Sequence, residues 1–503
     1  MKKKINKILI ANRSEIASRI IQTCKYLEIK TVAIYSPEDK FASFVYDATE
    51  SYPLTKSGIG GYLDQEEIIQ IAKISNCDAI HPGYGFLSEM ADFAQKVIDS
   101  GLIWIGPTPK QINLMGDKIQ AKNLMQQINV PTIPGFEISA NCDIANLKSK
   151  VAEIGYPILL KAALGGGGKA MRRVNNESEF ESHFNAVKRE AEYLFNSSSI
   201  FIEKYIENGR HIEVQIAGDP ENIIHLFERD CSIQRRHQKV IEEATSTFVS
   251  QNCLEKIYET AVMAAKSINY KNLGTVEFIV TTSEQFYFLE MNTRLQVEHP
   301  VSEAISGIDF VALQIHLAED NKLPYNQNEI QKHGHSIECR ILAEDTNNNF
   351  APSTGTIALL NLPKSNFVRI DHNLQEGMEI TGSFDSMLAK VITSGRDRNE
   401  TKLKMLQALD KLKIEGIDTN IEFLKSILKS KEFDKGKIFT NSLNNENFVS
   451  TLLENNKIES TDKNISNEEL ALIAAALIPH KQTHHENKNV SKTQSNWKNS
   501  SWK

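Results

Sequence analysis

Cysteine is scarce in this chain and follows no pattern. The chain has 503 residues, of which six are cysteines, and no two of them form a CxxC pair. A zinc site or a disulfide framework would need closely or regularly spaced thiols, so the sequence argues against both and favours a reducing compartment. We therefore expect a cytoplasmic protein.

Long apolar runs are also missing. The N-terminal stretch MKKKINKILIANRSE contains lysines, but its apolar run is too short for a signal peptide. A late apolar run at 470–478 is much shorter than the roughly 20 residues that cross a bilayer as a helix. The sequence therefore predicts neither a leader nor a membrane span.

The chain has no excess of basic charge. Its formal net charge is -7 at pH 7, so it lacks the positive field that a nucleic-acid binder needs. Hydrophobic residues make up 41% and charged residues 24%, which is ordinary for a soluble globular protein. The length favours about three domains rather than a single core.

The glycine fingerprint of dinucleotide-binding folds is absent as well. The opening segment predicts a strand at 7–11, a helix with apolar residues at 16, 20, 21, 24 and 27, a strand at 31–35, and a later helix near 65–74. This alternation is typical of a doubly wound parallel sheet. No GxGxxG follows the first strand, so an NAD-binding function is disfavoured.

Changes in pattern divide the chain into four segments. The first, an α/β segment, covers residues 1–116, and a second with mixed character covers 117–332, including a lid at about 132–204. An α+β segment follows at 333–446. Residues 447–503 become rich in Asn, Lys, Ser, Thr and His, a composition that buries little apolar surface and predicts a linker-like, largely disordered tail.

A hairpin with two facing acids is predicted in the second segment. GTVEFIVTTSEQFYFLEMN reads as two strands joined by a polar turn. If Thr281 lies opposite Phe286, then Glu277 lies opposite Glu290. Like charges directly opposite in a sheet are destabilising, and a hard divalent cation bound between them, with Asn292 nearby, would remove the conflict.

The residues that follow extend the polar row. Glu290, Asn292, Arg294, Gln296 and Glu298 occupy every second position, so an extended chain would place them on one face. Guanidinium and amide groups beside two carboxylates suit an oxyanion next to a metal. A solvated outer face with alternating polar residues is the competing interpretation.

A glycine-rich loop follows a strand-like run that ends in Lys161. The four residues Gly165, Gly166, Gly167 and Gly168 would let backbone N–H groups approach phosphate oxygens and would let the loop move. The P-loop pattern GxxxxGK[ST] is absent, so this is another kind of phosphate loop. A plain flexible linker remains the alternative.

Two charged segments supply further polar groups. FIEKYIENGRHIEVQ carries Glu203, Lys204 and His211, and ERDCSIQRRHQKVIEEA carries Gln234, His237 and Lys239. Taken alone, each segment is better explained by a solvated face or a salt-bridged surface than by a binding site.

Together these motifs resemble biotin carboxylase, the ATP-grasp component of biotin-dependent carboxylases, over residues 4–445. The resemblance is carried, in the family's order, by ANRSEIASRI, HPGYGFLSE, GDK at 116–118, YPILLKAALGGGGKAM, FIEKYIENGRHIEVQ, ERDCSIQRRHQKVIEEA, FLEMNTRLQVEHPVSE, GHSIECRILAED and FDSMLAKVI. It is strongest to the N-terminal part of acyl-CoA carboxylase α subunits, such as those for acetyl-, propionyl- or methylcrotonyl-CoA.

The resemblance implies an α/β and α+β multidomain fold and assigns roles. The fold would combine a Rossmann-like N-terminal domain, an ATP-grasp domain with a mobile lid, and a biotin carboxylase C-terminal domain. ATP would be held by Lys118, Lys161, Gly165, Gly166, Gly167, Gly168, Glu203, Lys204, Tyr205, Ile206, His211, Gln234 and His237. Metal would be held by Glu277, Glu290 and Asn292.

The remaining implied residues serve bicarbonate and biotin. Bicarbonate would be held by Lys239, Arg294, Gln296, Val297 and Glu298. Glu298 would be the general base, Arg340 would stabilise the enolate form of biotin, and Lys239 and Arg294 would complete the catalytic set.

The resemblance also implies cofactors and partners. These are ATP, two Mg²⁺ or Mn²⁺ ions, a biotin carrier domain or protein, a carboxyltransferase subunit, and a second copy of the chain in a homodimer or larger complex. Biotin would be a carrier-bound substrate, since no AMKM-like biotinylation motif occurs here. The chain is then expected to be a shortened α subunit or to use a separate carrier.

Four positions depart from the family pattern. Ser14 and Ala170 stand where the family usually has glycine, Lys169 stands in place of arginine, and Ser302 replaces threonine while keeping the hydroxyl. None of these changes removes an expected catalytic group. Two other functions stay open: a different ATP-grasp ligase, such as a carbamoyl-phosphate synthetase fragment, and a non-catalytic nucleotide-binding scaffold subunit.

Overall fold

The computed structural model describes residues 4–138, 144–162, 170–195 and 199–461. The chain divides into a unit of residues 1–455 and a second unit of 456–503, of which 456–461 are described as the end of a helix. The predicted glycine loop at 165–168, Lys169 and most of the predicted tail lie outside the described residues.

The first segment contains the predicted parallel sheet. Its strands run in the order β3-β2-β1-β4-β5, and every pairing between neighbours is parallel. The elements are β1 (Lys7–Ile10), α1 (Ser14–Tyr26), β2 (Lys30–Tyr35), α2 (Ser43–Asp47), β3 (Glu50–Pro53), α3 (Ile59–Tyr62), α4 (Gln65–Ile74), β4 (Ala79–His81), α5 (Ala91–Asp99), β5 (Ile103–Trp104) and α6 (Pro109–Gly116).

The predicted apolar stripe of the first helix is confirmed except at its end. Ile16, Ile20, Ile21 and Cys24 are buried on α1. Leu27 lies beyond the last helical residue and is exposed, so the prediction that it continues the stripe was wrong. The helix ends there because the chain must turn back to enter β2.

A small antiparallel sheet forms the predicted lid region. Its strand order is β6-β9-β7-β8, and helices pack against it around a separate apolar cluster. The elements are α7 (Lys118–Gln127), β6 (Gly135–Ile138), α8 (Ile144–Ile154), β7 (Ile158–Ala162), β8 (Met171–Val174), α9 (Glu177–Phe195) and β9 (Ile200–Lys204).

An eight-stranded sheet connects the remaining segments. Its order is β14-β13-β10-β11-β12-β15-β22-β20, so strands from both sides of residue 333 are hydrogen-bonded in one surface. Its first part comprises β10 (Arg210–Gly218), β11 (Ile223–Arg235), β12 (Gln238–Ala244), α10 (Gln251–Ser267), β13 (Asn272–Val280), β14 (Phe286–Asn292), α11 (His299–Ser306) and α12 (Phe310–Ala318).

The C-terminal part adds strands to that sheet and covers it with helices. Its elements are β15 (His335–Leu342), β16 (Glu344–Asp345), β17 (Ala351–Pro352), β18 (Gly355–Thr356), β19 (Leu359–Asn361), β20 (Val368–His372), β21 (Glu379–Ile380), β22 (Met387–Gly395), α13 (Arg398–Lys411), β23 (Lys413–Glu415), α14 (Ile421–Lys429), α15 (Lys431–Asp434) and α16 (Glu446–Thr461). Helix α16 covers residues 447–461 of the predicted tail. Short 3₁₀ turns lie at Pro37–Asp39, Gln327–Glu329 and Ser442–Asn444.

Two departures from the family pattern share a backbone conformation. Ser14 has φ 59° and Ala170 has φ 51°, both in the left-handed region. Glycine reaches that region without a steric cost, whereas a residue with a Cβ is strained there by about 1 kcal/mol. The usual glycine at these two positions therefore has a conformational reason, and this chain tolerates the strain.

Within the described ranges, no single helix is long and apolar enough to cross a membrane. One strongly bent pair, α11 with α12, meets the length and composition criteria together. The described cysteines Cys24, Cys77, Cys231, Cys253 and Cys339 are free thiols and buried.

Candidate active site

The predicted hairpin forms, and its two acids face each other. Glu277 on β13 lies directly opposite Glu290 on β14, and Thr275 lies opposite Asn292. Near the turn the register differs from the prediction by one residue, because Val280 rather than Thr281 lies opposite Phe286. A bulge between positions 277 and 278 corrects the offset, so the predicted acid pair is reached although the assumed turn register was wrong.

The extended row predicted from 290 to 298 is interrupted. Strand β14 ends at Asn292, and the chain then passes through a loop and turn before α11 begins at His299. The prediction that strand alternation carries Arg294, Gln296 and Glu298 to one face was therefore wrong. These side chains still line one cavity, because the turn folds them back toward the strand.

A cleft of about 790 Å³ collects the predicted side chains. Every predicted site residue outside the glycine loop contributes to its lining: Lys118, Lys161, Glu203, Lys204, Tyr205, Ile206, His211, Gln234, His237, Lys239, Glu277, Glu290, Asn292, Arg294, Gln296, Val297, Glu298 and Arg340. Residues separated by more than 200 positions in sequence thus meet in one place. Gly165–Gly168 lie outside the described residues.

Glu298 is clamped between two cations. Its Oε1 accepts a hydrogen bond from Lys239 Nζ at 2.5 Å, and its Oε2 accepts one from an Arg340 guanidinium nitrogen at 2.9 Å. The carboxylate is 2% exposed. Because Lys239 comes from β12 and Arg340 from the adjacent β15, their hydrogen-bonded strands fix the spacing of the clamp.

Glu277 is the most heavily bonded carboxylate of the cleft. It accepts hydrogen bonds from Asn292 at 2.8 Å and from Gln296 at 2.7 Å, and it lies 2.9 Å from His211 Nε2 and 3.3 Å from Lys239 Nζ. Burial alone would raise the pKa of Glu277, but Lys239 and His211 outweigh it and lower that pKa to about 2.

The pKa of His211 shifts in the opposite direction. Burial by itself would lower the pKa of its imidazole, but the carboxylates of Glu277 and Glu213 together outweigh burial and raise that pKa to about 9. These carboxylates therefore favour the charged form of the imidazole. Its second ring nitrogen, Nδ1, lies 3.0 Å from the side-chain amide of Gln234.

Lys118 forms an ion pair with Glu290, the second acid of the facing pair. Lys118 Nζ lies 3.2 Å from Glu290 Oε2. Lys118 is the first residue of α7, and Asp117 caps that helix by accepting hydrogen bonds from two backbone N–H groups. The GDK motif thus fixes where the helix begins and directs its first lysine toward the acids.

The lid sheet contributes the other wall. Lys161 Nζ lies 2.7 Å from Glu203 Oε1, and the Lys204 ammonium donates to the carbonyls of Gly155 and Tyr156 at 3.0 and 2.8 Å. Apolar side chains from the lid sheet, from α7 and its following loop, and from β13 and β14 also line the cleft: Ile119, Ile133, Leu159, Ala162, Phe201, Ile279, Phe288 and Leu289. A flat, partly apolar slot beside cations suits a nucleotide.

His237 stands at a strained turn. It and Arg236 form the two-residue connection between β11 and β12, with φ 65° and 51°. Two consecutive left-handed residues are what a tight type I′ hairpin requires, and neither is glycine here. Such strain at a cavity rim is typical of a functional constraint.

The HPGYGFLSE motif of the N-terminal segment contributes Tyr84 and Gly85 to the lining of the cleft. The side-chain amide of Asn12 donates to the carbonyls of Pro82 and Tyr84, both at 2.7 Å, and so shapes the HPGYG loop. Glu89 at the end of that motif accepts hydrogen bonds from the Thr293 N–H at 3.0 Å and from Arg294 Nε at 2.8 Å. The sequence motifs contained no indication that Glu89 would hold Arg294.

Arg229 is the main residue that the sequence interpretation missed. Its guanidinium is fully buried and donates to Glu213, Gln215, Ser302, Thr275 and Gln296. Because it donates to Gln296 Oε1, the amide nitrogen of Gln296 must point into the cleft. The partners are far apart in sequence, so no local pattern could have revealed the network.

Glu213, also missed, completes the buried charges below the cleft. Lys239 Nζ forms an ion pair with it, and its other oxygen accepts from Arg229 Nε. Candidate ligand atoms of His211, Glu213 and Glu277 lie within 4.8 Å of one another. In the structure these atoms are engaged with cations and hydrogen-bond donors.

Models of known protein families match most of the chain. Residues 4–112 match the family described as biotin carboxylase, N-terminal domain. Residues 117–326 match the carbamoyl-phosphate synthase L chain ATP binding domain, and residues 338–445 match the biotin carboxylase C-terminal domain.

Two relatives differ in the share of their own length that this chain covers. Biotin carboxylase 2 of Bacillus subtilis (strain 168) is 47% identical over 439 residues, covering 87% of this chain and 98% of the relative. The mitochondrial methylcrotonoyl-CoA carboxylase subunit alpha of Dictyostelium discoideum is 45% identical over 441 residues, covering 87% of this chain and 63% of the relative. The chain belongs to the biotin carboxylase family.

Solved structures agree with this assignment. The biotin carboxylase domain dimer of Hydrogenobacter thermophilus 2-oxoglutarate carboxylase, in complex with MgADP, ADP and bicarbonate, has a TM-score of 0.84 at 43% identity and covers 88% of this chain and 98% of that one. Biotin carboxylase of Campylobacter jejuni, solved as a β,γ-ATP complex, has a TM-score of 0.83 at 44% identity, covering 87% and 98%.

Proposed function

We propose that this chain catalyses the ATP-dependent carboxylation of biotin by bicarbonate through carboxyphosphate, the first half-reaction of an acyl-CoA carboxylase. The observation that carries the proposal is Glu298, a buried carboxylate held by Lys239 and Arg340 in the same cleft as the facing acids Glu277 and Glu290. A base, an anion site and a candidate metal site within one cavity are the groups that this reaction requires.

The acid pair suits a magnesium or manganese ion. Glu277, Glu290 and Asn292 offer hard oxygen atoms, and their strands place the two carboxylates directly opposite each other. Lys118, His211 and Lys239 now balance these charges. Such ions, once bound with the nucleotide, would offset negative charge on the transferring phosphoryl group.

Bicarbonate would lie between Glu298 and Arg294. The amide nitrogen of Gln296, oriented by Arg229, and the ammonium of Lys239 would donate to its oxygens. Glu298 would remove the bicarbonate proton while these donors hold the anion in line with the γ-phosphate, and the oxygen would attack phosphorus with release of ADP. Carboxyphosphate would result.

The second half of the reaction would use Arg340. Carboxyphosphate would break into CO2 and phosphate, and that phosphate would take the proton from the ureido nitrogen of biotin. The negative charge that develops on the ureido oxygen would be stabilised by the guanidinium of Arg340, which is held in place by Glu242 Oε1 at 2.5 Å. Nitrogen would then attack CO2.

Partners and location complete the proposal. We infer that biotin arrives on a carrier domain or protein, that a carboxyltransferase subunit uses the product, and that the chain forms a homodimer in the cytoplasm. Support comes from the methylcrotonoyl-CoA carboxylase relative, from the dimeric form of the H. thermophilus domain, and from the free, buried thiols of the five described cysteines.

Another ATP-grasp ligase is the second candidate, because residues 117–326 match an ATP-binding domain named after carbamoyl-phosphate synthase. The flanking matches at 4–112 and 338–445 are both to biotin carboxylase domains, which favours the first proposal. Arg340 lies in the second of these. A nucleotide-binding scaffold subunit is disfavoured because the predicted catalytic side chains meet in one cleft.

The test is bicarbonate-dependent ATP hydrolysis with and without free biotin. We expect biotin to stimulate hydrolysis, and we expect Arg340→Ala to abolish carboxylation of biotin while nucleotide binding persists. Glu298→Gln should lower kcat by about 100-fold or more, the typical contribution of a general base. Folded protein with magnesium that shows no response to biotin would contradict the proposal.

A further inference from the structure

Lys122 is a lysine of the cleft to which neither the sequence motifs nor the proposed mechanism gives a role. It lies on α7, one turn beyond Lys118, and its side chain lines the cavity. Its Nζ donates to the backbone carbonyl of Ile133 at 2.7 Å and lies 4.4 Å from the centre of the Phe201 ring. Lys161 Nζ lies 5.4 Å from the centre of the same ring. Two ammonium groups therefore share one aromatic wall.

The partners of the cleft lysines differ. Lys118 and Lys161 are each paired with a carboxylate, at 3.2 Å from Glu290 and 2.7 Å from Glu203. Lys122 contacts no carboxylate among the described residues. Since an ammonium has three donors, it keeps two after its bond to Ile133. Its charge is thus unmatched and available to an anion.

The lack of a contacting carboxylate affects the pKa of Lys122. Burial against the apolar wall, with a further contribution from Lys161, lowers the pKa of Lys122 to about 8, and Glu203 opposes the shift only in part. An anionic ligand beside the ammonium would reverse this effect by favouring the charged form.

We propose that Lys122 is a further nucleotide-binding residue, which donates to a phosphate oxygen of the bound nucleotide beside Lys161. The inference rests on the proposed function, because it needs a nucleotide in this cleft. The carbonyl of Ile133 holds the side chain against Phe201, so that the free donors face the cavity. Nucleotide binding slightly above neutral pH must then take up a proton at this residue.

The experiment is calorimetric titration of the full chain with MgADP at about pH 8.5, in two buffers of different ionisation enthalpy, which counts the protons taken up. The variants are Lys122→Arg, Lys122→Met and, as a matched control, Lys266→Met on the exposed face of α10. We expect wild type and K266M to bind with proton uptake. K122R should keep the affinity and take up fewer protons than wild type, since arginine stays charged.

K122M should lose about tenfold or more in affinity, the value of one charge-assisted hydrogen bond. It should also take up fewer protons than wild type, and the uptake that remains is assigned to His211 in the same cleft. Thermal unfolding of each variant checks that the bond to Ile133 is not needed for folding. If K122M unfolds, K122R still decides: proton uptake equal to wild type would overturn the inference.

The experiment distinguishes failure of the role of Lys122 from failure of the proposed function. If wild type binds MgADP and K122M binds it equally well with the same uptake, the role of Lys122 is overturned while the proposed function stands. If wild type does not bind MgADP at all, the proposed function fails and the inference fails with it. A purely structural lysine would change stability without changing the number of protons taken up.

Discussion

Two pairs of glutamates face each other across antiparallel strands, and they behave in opposite ways. Glu277 and Glu290 open onto the cleft, and cations near Glu277 lower its pKa to about 2. Glu242 and Glu338 are fully buried. Burial raises the pKa of Glu242 to about 7 and that of Glu338 well above its ordinary range.

Both pairs lie directly opposite across antiparallel strands, so the register does not explain why their pKa values shift in opposite directions. The hydrogen-bond and ion-pair partners of the carboxylates explain it. Both carboxylate oxygens of Glu338 lack a hydrogen-bond partner in the described structure, as does one oxygen of Glu242. Arg340 donates to Glu242, but no described hydrogen-bond donor contacts Glu338, so burial dominates in this sealed pair and raises both pKa values. In the open pair, Lys239 and His211 outweigh the burial of Glu277 and favour its ionised form, which can bind metal. Facing acids in a sequence therefore indicate a cation site only when the basic side chains around them outweigh the effect of burial.

The largest expected effect comes from breaking the cleft pair. Glu277→Gln removes the charge that balances His211 and Lys239 and that would hold the metal, so we expect kcat/KM for biotin-stimulated ATP hydrolysis to fall by about 100-fold or more. Glu338→Gln, the matched change in the sealed pair, replaces a carboxyl group whose pKa burial raises well above its ordinary value, and it should leave activity nearly intact. Equal losses in the two variants would refute the distinction.

A large effect on stability is expected at a third buried glutamate. Glu243, next to Glu242 on β12, lies 3.0 Å from His335 and 2.6 Å from Arg398. Burial would raise its pKa, but these partners lower it from 4.5 to about 2. Arg398→Met should destabilise the fold by about 3 kcal/mol at neutral pH, as for a broken buried ion pair.

The pH dependence gives the sign of that effect. Because the folded-state pKa of Glu243 is lowered, its contribution is present above the unfolded value of 4.5 and is lost as pH falls toward 2. The difference in urea unfolding between wild type and Arg398→Met should therefore shrink in acid. Arg398→Met with Glu243→Gln should recover part of the loss. A constant difference at every pH would show that packing, not charge, is lost.

The smallest effect is expected in the sealed pair. The folded-state pKa of Glu338 lies above its unfolded value of 4.5, so its protonated form favours folding and its contribution falls as pH rises above 4.5. Glu338→Gln should make urea stability less dependent on pH between about 5 and 8, with a gain of about 1 kcal/mol at the upper end. A steeper slope in the variant would contradict the buried proton.

Local sequence patterns predicted helices, strands and the facing acids of the hairpin. Features that depend on contacts between residues distant in sequence could not be predicted. Strong periodicity predicted α1 and α4, and strand composition predicted the hairpin with Glu277 opposite Glu290. The bulge at 277–278 could not be predicted, because it depends on how the strand packs rather than on its composition. The same holds for the loop after Asn292.

The site was predicted through motif resemblance more than through geometry. Spacing alone left a solvated surface open for Gln234, His237 and Lys239, and the structure resolves that choice by placing them in the cleft. Arg229, Glu213 and Glu89 act through partners distant in sequence, so only the fold identifies them. The domain limits at 116, 332 and 446 stay predictions.

The continuous eight-stranded sheet has a practical consequence for protein engineering. Strands β12 and β15 are hydrogen-bonded neighbours, one on each side of the limit at 332. A fragment that stops there would leave β12 as a bare edge open to intermolecular pairing. Minimal fragments and chimaeras should therefore exchange the whole of 205–446 together.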